Sequence, residues 1–151
     1  MVILDQGTKA VVRSAFELHE GSSMIPGFFD LTRVHNTGAA FGMFNGMDFP
    51  FKTLILSLVA TAALIGLAVY GAMLPAGQRL ARFGLALIVG GAAGNLVDRI
   101  RYGYVLDFVD LYWRDWHFWA FNVADAVINV GVALMILDII GIGRHRVPRA
   151  V

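Results

Sequence analysis

The chain has 151 residues, a mean hydropathy of +0.67, 58% hydrophobic and 15% charged side chains, and a formal charge of +1. A soluble domain is about 45–50% apolar and about 25% charged, so this composition points to lipid. It excludes a disordered chain, a coiled coil and a nucleic-acid binder that works through net charge. The absence of cysteine excludes disulfides, thiolate nucleophiles and zinc–cysteine sites, and His19, His35, His117 and His145 lack metal-ligand spacing.

The first segment is short. Met1 to Leu4 are apolar, but Asp5, Lys9, Arg13, Glu17 and Glu20 follow, so residues 1–18 cannot cross the ~30 Å of hydrocarbon that needs about 20 apolar residues. Lacking a charged n-region and a long apolar core, it is not a signal peptide. It reads as the outer end of a helix whose start lies upstream, with roughly 10–15 further apolar residues expected in the natural gene. Gly21 to Phe51 is rich in glycine, proline and aromatics. Within it, Phe28 to Asn36 predicts a strand or two, and Asn36-Thr37-Gly38 a turn in which Gly38 takes a positive φ. A small sheet on the membrane surface fits this stretch.

Three spans follow. Thr53 to Gln78 carries no charge, and neither does Phe83 to Val97; Phe121 to Gly143 is interrupted by Asp125 and Asp138. A soluble helix would show a polar face, and Leu54 to Leu74 shows none. Arg79 and Arg82 between the first two spans, with Arg144, Arg146 and Arg149 in the tail, place both regions in the cytoplasm. Parity agrees, because two spans separate them. The opposite face then holds residues near 10–51 and 99–120.

Polar groups in such segments are costly and tend to be functional. Gly90-Gly91-Ala92-Ala93-Gly94 allows close helix contact, and Asn95 and Arg99 follow on one face with Asp98 beside them. Asp98–Arg99 also reads as a local ion pair at a helix end. Asp107 sits between Leu106 and Phe108, an apolar setting that raises a carboxyl pKa. Asp125 lies in the first turn of the last span, where a capping box with Asn122 is the plainer reading. Asp107 and Asp125 both fall at the outer membrane boundary. Two carboxylates sharing one proton can divide the roles of base and acid on a water molecule. Peptide hydrolysis by an aspartate pair fits the available side chains.

Five blocks occur in order: Leu4-Asp5-Gln6-Gly7-Thr8-Lys9, Asn36-Thr37-Gly38-Ala39-Ala40-Phe41, Gly94-Asn95-Leu96-Val97-Asp98-Arg99, Val105-Leu106-Asp107-Phe108 and Phe121-Asn122-Val123-Ala124-Asp125. Together, from about Ile3 to Gly141, they resemble the bacterial lipoprotein signal peptidases, signal peptidase II. The resemblance implies an all-α polytopic inner-membrane protein, a four-helix bundle with a truncated first helix and a small β-sheet cradle on the outer face. It implies one peptidase domain over residues 1–151, with its C-terminus cytoplasmic. That domain would cut prolipoproteins just before the diacylglyceryl cysteine. By motif match Asp107 and Asp125 would be the catalytic pair, and Asp5, Lys9, Asn36, Gly38, Asn95, Asp98, Arg99 and Asn122 would bind substrate or support the site. Membrane lipids and globomycin-type inhibitors would be partners, with no cofactor, no metal and no nucleic acid, and the chain would act as a monomer. Two features depart from the family: only four residues precede Asp5, and Ala120 stands where many members carry a proline ahead of the Phe-Asn block. The rival readings are a small ion-coupled transporter and a non-enzymatic assembly factor. The first calls for midplane carboxylates or an inverted repeat, and neither is seen. The second leaves the Asn and Asp set without a purpose.

Overall fold

A charged stripe on the first helix organises the packing. The computed structural model describes residues 1–39 and 42–141. In it α1 (Val2–Ala15) turns Asp5, Lys9 and Val12 inward, the spacing of one helix face. This face packs on α3 (Arg79–Tyr102) and α4 (Val123–Ile139), and α2 (Lys52–Met73) packs on α3. At 14 residues α1 is about 21 Å long, too short to cross a bilayer. Its open C-terminal carbonyls are met from the sheet: Arg33 Nη1 donates to Phe16 O at 2.9 Å and Arg13 O at 3.3 Å.

Two helices, α2 and α3, are long and apolar enough to cross a membrane. None of the 22 residues of α2 is buried, and Leu58, Val59 and Met73 are 60–76% exposed. A core helix of a soluble protein would be mostly covered, so this surface suits lipid. The last span expected from Phe121 begins as a helix at Val123 and runs to Ile139. The expected cytoplasmic tail, with Arg144, Arg146 and Arg149, lies outside the described residues, as do Ala40 and Phe41.

Close approach of α3 and α4 depends on glycine. A Cβ on Gly84 would stand 2.6 Å from the Gly131 carbonyl oxygen, and one on Gly131 would stand 2.5 Å from that of Gly84. Gly91 meets Ala124 O in the same way at 2.6 Å, and a Cβ on Gly94 would lie 2.5 Å from Asp5 Oδ2. The expected small-residue contact therefore forms, and it extends to Gly84, nearly two turns before the Gly90–Gly94 run.

The remaining chain makes an antiparallel sheet of order β1-β2-β3-β4: β1 (Gly21–Ile25), β2 (Phe29–Asn36), β3 (Val105–Trp113) and β4 (Trp116–His117). The strand expected over Phe28 to Asn36 is β2. It pairs with β3 so that Val34 faces Asp107 and Asn36 faces Val105, with an irregularity between Leu31 and Val34. The first four residues of β3 are buried. There Leu106 and Phe108 pack on Val12, with Phe16, Leu31, Tyr104, Val109 and Val123 around them. A second cluster, Leu74, Ala81 and Leu85, closes the other end of the helices.

One turn differs from expectation. Gly38 does not take a positive φ; the left-handed glycine is Gly42, at φ 67°. Gly38 is required sterically, because a Cβ there would collide with the Met43 carbonyl oxygen and stand 2.8 Å from Asn45 N. The loop returns on itself at that point, and Ala39 N donates to Met43 O at 2.7 Å.

Gly84→Ala should lower the unfolding midpoint in detergent by the equivalent of about 1–3 kcal/mol, the usual cost of overfilling a packed contact. Gly66→Ala on α2, which meets nothing within 4 Å, should not lower that midpoint and should raise it slightly, since alanine is favoured over glycine inside a helix by about 0.5–1 kcal/mol.

Candidate active site

The first turn of a helix leaves backbone N–H groups without partners. At α4 the Asn122 side chain accepts from Asp125 N at 3.0 Å while Asp125 Oδ2 accepts from Asn122 N at 3.2 Å, a complete capping box. The plainer reading of this pair is therefore correct, and it is not the whole role of either residue. Because Asn122 Oδ1 is committed to the helix, its Nδ2 must point away from it. That amide donates to Asp107 Oδ1 at 2.7 Å, and also reaches Asn95 Oδ1 and Leu106 O. One asparagine thus touches both aspartates.

Each carboxylate receives a second donor. Asn36 Nδ2 donates to Asp107 Oδ2 at 3.1 Å, and Asn95 Nδ2 donates to Asp125 Oδ1 at 2.8 Å. Asn95 is oriented in turn by Lys9, whose Nζ donates to Asn95 Oδ1 at 2.8 Å. Lys9 is fully buried and also pairs with Asp5 at 2.8 Å and Asp98 at 3.0 Å. Asp5 Oδ1 accepts from Ala124 N, a further free N–H of the first turn of α4, at 3.1 Å. Asp98 Oδ2 accepts from Leu106 N, which fixes the start of β3.

The two aspartates open on one cleft of about 410 Å³, lined among others by Asn36, Asn95, Arg99, Asp107, Trp119 and Asp125. Burial pushes the Asp107 carboxyl up to about 7, with the Asp125 charge adding to the shift. The amides of Asn36 and Asn122 and the more distant Lys9 charge oppose it. A carboxyl poised there exchanges its proton near neutrality, as a general acid or base requires. Among the described residues no cluster of His, Asp and Glu could hold a metal ion.

The expected site residues divide into two groups. Asn36, Asn95, Arg99, Asp107 and Asp125 line the cleft. Asn122, Asp5, Lys9 and Asp98 are buried behind it, and Gly38 contributes its carbonyl, which accepts from Arg99 Nη2 at 2.7 Å. The local Asp98–Arg99 ion pair does not form. Asp98 instead meets Lys9 and, at 3.9 Å, Arg13, because Arg99 points to the cleft from a different face of α3. Two participants went unassigned from sequence. Gln6 Nε2 donates to Asp5, to Gly94 O and to Asp98, and Arg13 borders the same carboxylate. The signal for Arg13 was present: Asp5, Lys9 and Arg13 recur every four residues. Phe118 and Trp119 at the cleft mouth carried no comparable pattern.

Comparison with known proteins shows the family. Residues 1–141 match the family model described as signal peptidase (SPase) II. The lipoprotein signal peptidase of Geobacter metallireducens is 45% identical over 141 residues, covering 92% of this chain and 85% of its own. That of Solibacter usitatus is 46% identical over 140 residues, covering 91% and 84%. A solved structure described as a bacterial membrane enzyme, obtained in meso at 2.3 Å, superposes with a TM-score of 0.80 at 27% identity. It covers 99% of this chain and 88% of that one. A second, at 1.9 Å, gives 0.78 at 30% identity over 93% and 87%.

Lys9→Met would leave Asp5 buried without its cation and Asp98 with only the more distant Arg13, at 3.9 Å. Removing one partner of a buried pair costs about 3–5 kcal/mol, so the variant should lose most of its thermal stability in detergent. Lys9→Met with Asp98→Asn should recover part of that loss in the same melt.

Proposed function

As a member of the signal peptidase II family, the chain is an aspartic peptidase that cleaves signal peptides from lipoproteins, and we propose that Asp107 and Asp125 are its catalytic pair. The observation that carries this is the bridge by Asn122, which holds both carboxylates on one cleft. With one proton shared between them, the ionised carboxylate takes a proton from water as its oxygen attacks the scissile carbonyl carbon. The protonated partner gives its proton to the carbonyl oxygen, so a neutral tetrahedral diol forms. Collapse of the diol breaks the C–N bond, with a proton passed to the leaving nitrogen. Asn36, Asn95 and Asn122 position the pair, and Arg99 fastens the loop at Gly38 beside it.

The substrate we propose is a prolipoprotein cut just before its diacylglyceryl cysteine. Signal peptidase II is a membrane enzyme, and α2 and α3 supply apolar spans. The finer reading is a single polytopic domain in the inner membrane, acting as a monomer. In it the sheet and both aspartates lie on the outer side, the C-terminus is cytoplasmic, and globomycin-type lipopeptides compete for the cleft. The transporter and assembly-factor readings are not favoured.

Asp107→Asn and Asp125→Asn should each nearly abolish cleavage of a lipidated substrate peptide without loss of folded protein. Asp110→Asn should not, since its carboxylate faces His117, at 2.9 Å, rather than the cleft. A variant of the pair that keeps a tenth of wild-type turnover would exclude it. The pH profile follows from the same proton. Below both macroscopic pKa values no base remains; above both, no acid remains. Activity should therefore be bell-shaped, and with Asp107 raised to about 7 its alkaline limb should have a midpoint near neutrality, a value belonging to the pair. A rate that rises steadily into alkali would exclude the shared proton.

Topology has its own test. A reporter inserted near Gly46 should read as periplasmic and one fused after Arg149 as cytoplasmic; the reverse would put the aspartates on the wrong face.

A further inference from the structure

The cleft that holds the two aspartates has a polar end and an apolar end. Asn95, Arg99 and both carboxylates belong to the first; Ala60 of α2, Ala92 of α3 and Ile128 of α4 wall the second. One side chain breaks this division. Asn129 lines the cleft beside Ile128 and is exposed. From Ala126 to Leu137 it is the one polar side chain of α4. A polar group in an apolar span is costly and by default marks a functional contact. Part of that cost is met inside the helix, where Asn129 Nδ2 donates to Asp125 O, one turn back, at 3.0 Å. The same bond orients the carboxamide, because a carbonyl oxygen can accept from the NH₂ but not from Oδ1. With Nδ2 turned along the helix, Oδ1 lies on the other edge of the amide, and among the described residues nothing donates to it.

The substrate can supply the missing donor. A signal peptide carries its apolar stretch just before the cut, so that stretch meets the apolar end of the cleft when the scissile bond is at the aspartates. Near the cut the peptide must leave its helix for water and a carboxylate to reach the carbonyl carbon. Extended backbone against an apolar wall leaves N–H groups without partners. Asn129 is four residues along α4 from Asp125, about 6 Å further into the cleft at 1.5 Å per residue. An extended chain covers that distance in about two residues, at 3.2–3.4 Å each. We infer that Asn129 is a substrate-binding residue whose Oδ1 accepts a backbone N–H of the segment before the cut, at its second or third residue. Such a contact reads no side chain, so it sets the depth of the peptide in the cleft for substrates of different sequence. The inference rests on the peptidase reading and adds to it a residue outside the aspartate network.

The full chain in detergent micelles is assayed with a lipidated substrate peptide. Asn129→Leu removes the acceptor at an exposed position, so its unfolding midpoint should match that of the wild type. Its KM should rise about three- to tenfold, the worth of one hydrogen bond. Its kcat should stay within a factor of about two, as expected for binding made equally in the ground and transition states. An ester oxygen in place of one backbone N–H, tried in turn at the second and third residues before the cut, removes the donor instead. At one of the two positions the wild type should show the same rise in KM, and the ester should add nothing to Asn129→Leu. That non-additivity separates a direct contact from a structural effect, and its wild-type half needs no variant to fold. An unchanged KM in Asn129→Leu would overturn the inference. So would a fall in kcat alone, or ester effects that add to the substitution at both positions. The aspartate reading fails separately: full turnover by Asp107→Asn and Asp125→Asn would exclude the pair and leave the KM comparison standing. A wild type that cut no lipidated peptide would overturn both.

Discussion

Lys9 carries its charge to a place with no access to water, and such a charge is tolerated only when it is met in full. Asp5, Asp98 and the Asn95 carbonyl oxygen meet it, all within 3.0 Å. Two of these groups lie on α3, so the ammonium sets the register of α1 against that helix. It also decides an orientation. An asparagine side chain can present either its oxygen or its NH₂. With the oxygen taken by Lys9, Asn95 must turn its NH₂ toward Asp125. A group that never lines the cleft therefore fixes a hydrogen bond inside it. The same network reaches the other elements of the site through Asp5, which accepts from the start of α4, and through Asp98, which accepts from the start of β3.

Asn122 does the corresponding work on the far side. Its oxygen is claimed by the α4 cap, so its NH₂ is free for Asp107. The two aspartates come from unlike elements, one from a strand and one from a helix N-terminus. Neither element alone could bring two side chains to one point with both oxygens of each addressed. Strand β3 must be pinned at Leu106 for this to succeed, and Asp98 pins it. Glycine at 94 is part of the same requirement, since a methyl there would occupy the position of the Asp5 carboxylate.

Much of this was legible from residue types. Uncharged runs located α2 and α3, and the Asn122–Asp125 spacing predicted the cap that forms. Asp107 and Asp125 stood out because carboxylates in apolar surroundings need a reason. Partner choice was not legible. Asp98 and Arg99 are neighbours in sequence, which suggested an ion pair. On a helix, however, successive residues are turned about 100° apart, so Asp98 faces α1 and Arg99 faces the cleft. The role of Gly38 was mistaken for a similar reason: sequence suggests backbone freedom, whereas the constraint is the return of a later segment of the loop against it. Gln6 was hidden because a lone glutamine beside an aspartate has no distinctive pattern, although three buried partners await it once α1 and α3 meet.

The position of the site follows from the needs of its backbone and its water. A strand exposed to hydrocarbon leaves N–H and C=O groups unsatisfied, so β3 must sit at the end of the helices. Hydrolysis needs water at the same place, while the lipid of the proposed substrate needs the bilayer. In the membrane placement proposed above, the boundary is the depth that meets all three conditions. It also sets the proton affinity of Asp107. Burial and the neighbouring Asp125 charge push its pKa up; the amides of Asn36 and Asn122 pull it back, and the balance lies at about 7. With burial alone the carboxyl would stay neutral and could not act as a base. With the amides and open water it would stay ionised and could not act as an acid. In the mechanism proposed above, the asparagines around the pair would therefore supply more than orientation: they oppose the upward shift of the carboxyl that would exchange the proton.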